Sequence, residues 1–164
     1  MLNHRPMFQC RNCNSNRITC GRLSTGDRAH AIFRPSKLRS FMVSIEGGIR
    51  VRNEAYACLD CGCIWSVSLP EALCQFVEKF CPDSVFAPEP PCPECKCNQV
   101  VVGRIVNTRR LSTFEPENMR FGLVRFLIGG IWLRDKAFAC TNCGFVWTLL
   151  PAERLRQFIQ SYCN

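Results

Sequence analysis

Apolar residues at Leu73, Phe76, Val77 and Phe80 follow Pro70 at helical spacing, and the same spacing returns after Pro151 at Leu155, Phe158, Ile159 and Tyr162. Each set predicts one amphipathic helix that starts at a proline and covers a sheet with a single apolar face. Shorter alternations over residues 17–23, 64–69 and 99–106 predict strands. Two glycine pairs mark hairpins. Gly47-Gly48 separates residues 41–45 from 49–52, and Gly129-Gly130 separates residues 121–128 from 131–138. Phe33-Arg34-Pro35 and its echo Phe114-Glu115-Pro116 read as turns whose aromatic ring tucks against the sheet. Every element occurs twice, in the same order.

That repetition sets the expected organisation. Residues 1–81 form one repeat, 82–91 a linker with four prolines, and 92–164 a second repeat. Units of about 80 residues bury little core, so each needs a further source of stability.

The cysteines supply a candidate. The stretch from Ala55 to Trp65, with Cys58 and Cys61, returns 82 residues later from Ala137 to Trp147, with Cys140 and Cys143. A second Cys-x-x-Cys lies upstream in each copy, at Cys10/Cys13 and Cys92/Cys95, and both gaps between inner cysteines hold 44 residues. Two such short turns brought together deliver four sulfurs to one tetrahedral ion, with zinc–sulfur distances of about 2.3 Å. Gly62 and Gly144, just after the second cysteine, suit a tight turn with positive φ. Structural zinc is the leading reading, at two ions per chain. A rubredoxin-like iron site and a set of disulfides or free thiols are the alternatives.

With Cys92-Pro93-Glu94-Cys95 and Cys140-Thr141-Asn142-Cys143-Gly144 in view, the chain resembles the zinc-ribbon class, as a tandem protein with rubredoxin-like four-cysteine knuckle pairs. Cys10-Arg11-Asn12-Cys13 departs from the pattern only in lacking the proline. The resemblance implies a small metal-bound β-rich fold: two tandem zinc ribbons, each an antiparallel sheet with two zinc knuckles and one C-terminal helix. It implies little about function, because the same knuckles serve transcription, translation, nucleic-acid binding and protein docking.

Charge narrows the partner class. The formal +8 suggests an anionic partner, but eight ligating thiolates add −8 and two Zn²⁺ add +4, leaving +4. Residues 22–52 hold seven Lys or Arg against two acidic residues, and 104–136 hold seven against three. Arg22, Arg39, Arg52, Arg104, Arg120 and Arg134 recur in both copies and are the candidate nucleic-acid contacts. A solvated face, or arginines that neutralise the thiolate centres, would leave the same pattern.

The copies also diverge. Ser44, Glu46 and Arg50 are replaced by Phe126, Ile128 and Trp132, which points to a protein contact or to packing between the repeats. Cys63 and Cys97 lie two residues past a ligand, but their counterparts are Phe145 and Ser15, so neither is needed by the site. His4 and His30 have no counterpart and no partner pattern.

No enzymatic chemistry is expected, since a catalytic zinc keeps an open position and a nearby base. The chain reads as a non-catalytic binding module, with nucleic acid or a nucleoprotein as partner, or alternatively as a protein-interaction adaptor docking through its second hairpin. Neither a membrane nor a small-molecule substrate is expected. With no signal-like start and fourteen cysteines, the expected location is the reducing cytoplasm.

Overall fold

The computed structural model describes residues 9–24, 31–35, 48–80, 90–106, 112–116, 130–133 and 136–163. In the first half, β1 spans Ile18–Ser24, β2 Ile32–Pro35, β3 Ile49–Arg50, β4 Glu54–Cys58 and β5 Cys63–Val67, followed by helix α1 at Pro70–Phe80. The second half repeats this with β6 at Val100–Val106, β7 at Thr113–Pro116, β8 at Ile131–Trp132, β9 at Ala137–Cys140, β10 at Phe145–Leu149 and α2 at Ala152–Tyr162.

The ten strands among the described residues form one antiparallel sheet in the order β3-β2-β6-β9-β10-β5-β4-β1-β7-β8. This corrects the expectation of one sheet per repeat. Each half contributes a compact trio, β1-β4-β5 or β6-β9-β10, and sends a two-stranded wing across to the other half. β2 of the first half pairs with β6 of the second, and β7 of the second pairs with β1 of the first. The two trios join where β5 meets β10, with Trp65 opposite Trp147 and the flanking pairs related by the same 82-residue offset. Residues 51–53 connect β3, at one end of the order, to β4 near its middle. Three residues span at most about 14 Å, so the sheet is curled.

The exchange has a local cause. Phe33-Arg34-Pro35 and Phe114-Glu115-Pro116 are strands, not turns. Phe33 and Phe114 are fully buried, each ring lying against a glycine of the opposite half, Gly103 and Gly21 respectively. A Cβ at Gly21 would stand 2.6 Å from the Phe114 ring and would also strike the Glu115 carbonyl oxygen, and Gly103 meets Phe33 in the same way. Glycine within a strand marks such a close approach.

Alternation divides the sheet into two faces. One carries Leu23, Phe33, Ala57, Ile64, Ile105, Phe114, Ala139 and Val146, and is covered by Leu73 and Val77 of α1 and Leu155 of α2. Both helices lie where the helical spacing places them. The other face carries an aromatic row of Tyr56, Trp65, Phe145, Trp147 and Phe138, with neighbouring ring centroids 5.4–6.5 Å apart. Cys10, Cys58, Cys92 and Cys140 pack in the same cluster as this row. The first arm of each expected hairpin and residues 82–89 of the linker lie outside the described residues.

Candidate metal centres

Four turns carry the expected ligands, and all four are closed in the same way. The backbone N–H of Asn14, Gly62, Lys96 and Gly144 donates to the carbonyl of Cys10, Cys58, Cys92 and Cys140, at 2.8–2.9 Å. Each of these four donors stands immediately after the second cysteine of its pair and has φ between 60° and 73°. Glycine takes this conformation freely at two of them, while Asn14 and Lys96 do so at some cost. The first pair in each half gains a further bond, Cys10 N–H to the Ser15 carbonyl and Cys92 N–H to the Cys97 carbonyl.

The fold then brings the turns together in pairs. Cys10, Cys13, Cys58 and Cys61 form one quartet and Cys92, Cys95, Cys140 and Cys143 another, with all sulfurs of a quartet within 4.8 Å of one another. Cross-pair Sγ separations are 3.6 Å for Cys10–Cys61, Cys13–Cys58, Cys92–Cys143 and Cys95–Cys140. Four sulfurs about 2.3 Å from a central ion have tetrahedral edges of about 3.8 Å, so each quartet can hold a metal ion. No disulfide occurs among the described cysteines.

The electrostatics call for a cation. Cys10 is pulled down to about 4, foremost by a hydrogen bond from Cys63, and Cys92 to about 4 by hydrogen bonds from Cys140 and Cys143. Cys143 is pushed up by its bonds to Cys140 and Cys92, and Cys13 and Cys61 are pushed up by burial. Cys95, hydrogen-bonded by Cys97 and Asn142, is held below the usual thiol range as well. Holding all four as thiolates takes a positive charge at the centre.

Each centre draws its ligands from one half and docks its second turn against the other. A Cβ at Gly62 would run into the Leu150 carbonyl oxygen, and one at Gly144 into that of Ser68. Leu150 N–H donates to the Gly62 carbonyl and Ser68 N–H to that of Gly144, at 2.9 and 2.8 Å. Arg156 of α2 donates to the Leu59 carbonyl inside the first half's second turn, and Arg11 pairs with Glu94 at 2.8 Å, tying the two upstream turns together. The knuckle glycines thus serve as docking points for the opposite half, a role their spacing did not disclose.

Two further thiols approach the quartets. Cys97 Sγ lies 3.3 Å from both Cys95 and Cys140 Sγ, and Cys63 bonds to Cys10. Neither position is a cysteine in the other half, yet both thiols lie against a quartet. The Cys-x-Cys spacing at 61–63 and 95–97 was the available signal.

The candidate arginines are distributed unevenly. Arg22 faces Glu115 across β1–β7 and forms an ion pair with it at 3.1 Å. Its counterpart Arg104 faces Arg34 across β6–β2, with Arg50 on the same face two residues along. Arg52 is exposed, its backbone N–H bonded to the Val67 carbonyl. Arg39, Arg120, Arg134, Phe126 and Ile128 lie outside the described residues. Trp132, on the opposite edge strand from Arg50, is 38% exposed.

No described helix is long and apolar enough to cross a membrane. No protein-family model matches the chain, and comparisons with curated proteins and with solved structures return no match.

Proposed function

We propose that this chain is a non-catalytic binding module, a double zinc ribbon in which two structural Zn²⁺ ions, held by Cys10, Cys13, Cys58 and Cys61 and by Cys92, Cys95, Cys140 and Cys143, pin a strand-exchanged sheet. The observation that carries this reading is the pair of four-sulfur clusters. Zinc accounts for an all-thiolate tetrahedral set better than Mg²⁺ or Ca²⁺, which take oxygen ligands, and its structural sites are closed by protein ligands. A small sheet whose turns dock through those centres gains its folding energy from the metal; structural zinc contributes roughly 10–16 kcal/mol in small domains.

The partner is a nucleic acid or nucleoprotein, taken up on the wing where Arg34, Arg50 and Arg104 share one face. A phosphate chain laid along that face would meet several guanidinium groups at once. Arg22, bound to Glu115, serves the fold on this reading. The alternative is a protein adaptor docking on the edge that exposes Trp132. Salt separates the two. Three arginine–phosphate contacts on duplex DNA give a slope of log K against log salt of about −3, whereas apolar docking is nearly salt-independent. Binding of a labelled oligonucleotide is measured across salt concentrations for the native chain and for Arg50→Glu with Arg104→Glu. Affinity that is indifferent to salt and to both substitutions would rule out the arginine wing.

A further inference from the structure

We propose that Cys97 is a reserve metal ligand at the second centre, able to take the place of Cys95. The proposal rests on the two-zinc reading above. Cys97 Sγ touches the sulfurs of both Cys95 and Cys140, so five sulfurs crowd the second centre and the fifth sits beside one edge of the tetrahedron. Cys140 is buried at the end of β9, where its backbone pairs with Val100. Cys95 is exposed and lies in a turn outside the strands, as does Cys97 one residue after the left-handed Lys96. Of the two neighbours, Cys95 is therefore the one less tied to the sheet, and the one to swing out as Cys97 swings in.

The first centre has no such reserve beside Cys13. Ser15 occupies the position of Cys97, and its hydroxyl donates to Asp60 while accepting from the Arg17 N–H. The extra thiol there, Cys63, bonds to Cys10 and is fixed in the β5–β10 ladder opposite Leu149. Where Asp60 holds Ser15, the second half has Asn142, whose side-chain amide points at Cys95 Sγ at 3.7 Å. Exchange at the second centre needs no oxidant. The Cys97 sulfur binds as thiolate, its proton passes to the departing Cys95 sulfur, and the charge of the centre is unchanged. Such a centre keeps four sulfurs on its ion when Cys95 departs, so it holds the ion longer than one with four ligands alone.

The test counts zinc per chain by native mass spectrometry in full-length protein. The native chain is expected to carry two ions; fewer there would defeat the two-zinc reading itself, apart from anything about Cys97. Cys13→Ser is expected to carry one, Cys95→Ser two, and Cys95→Ser with Cys97→Ser one. A second arm follows zinc transfer to a chromogenic chelator. In the native chain the ion of the second centre is expected to leave after that of the first, and Cys97→Ser, which copies the serine of the first half, is expected to speed its release by about tenfold. A single zinc in Cys95→Ser, or release from the second centre unchanged in Cys97→Ser, overturns the proposal.

Discussion

Trp65 and Trp147 lie directly opposite one another where the two halves of the sheet meet. The pairs around them, Cys63 with Leu149 and Val67 with Phe145, interchange under the 82-residue offset, so the contact has the form of a two-fold dimer interface inside one chain. Trp147 is almost fully buried between Phe138 and Phe145. Trp147→Ala is expected to lower stability by about 3–5 kcal/mol, and Trp65→Ala by a comparable amount, since both empty the same seam. Urea denaturation of the metal-loaded protein measures each loss.

The knuckle glycines give a sharper test of cross-docking. Gly62→Ala keeps all eight candidate ligands but places a methyl group against the Leu150 carbonyl at φ +72°. The backbone strain alone is about 1–2 kcal/mol, and the displaced docking adds to it. A loss of at least about 2 kcal/mol is expected in the same denaturation assay, together with weaker metal retention at the first centre. Gly144→Ala mirrors it through Ser68.

Lys96 points the other way. It adopts φ 61° at the position that glycine fills in both downstream turns. Lys96→Gly is expected to raise stability by about 1 kcal/mol, read as a higher thermal midpoint. Asn14→Gly should change little, because asparagine tolerates the left-handed region.

The residues that were legible in the sequence are those whose signal is local. Cysteine spacing named both quartets, and apolar spacing after Pro70 and Pro151 placed both helices. Strand exchange was not legible, because the alternation in Ile18–Ser24 is the same whichever half supplies its neighbour. Phe33-Arg34-Pro35 looked like a turn because proline ends the segment, yet Pro35 closes a strand opposite Gly103. The shared glycines Gly21 and Gly103 were the one sequence trace of the exchange, and they acquire meaning only once the rings of Phe114 and Phe33 are seen against them. Arg22 and Arg104 look identical in sequence; Glu115 and Arg34, placed opposite them by the exchange, make them different.

That difference separates folding from binding. Arg104→Glu would set a carboxylate opposite Arg34, as Glu115 is set opposite Arg22. Such cross-strand pairs contribute about 0.2–1 kcal/mol. The variant is expected to be as stable as the native chain or slightly more so, while oligonucleotide affinity falls and the salt slope flattens. Parallel melting and binding curves check both halves of the statement.

The most direct measurement is a chelator titration of the full-length protein, with released zinc and far-ultraviolet circular dichroism recorded on the same sample. Two zinc ions per chain, with the strand signal lost as they leave, is the expected result, because both centres are docked across the halves. A chain that keeps its sheet after the metal is gone, or that releases iron or no metal, would contradict the account.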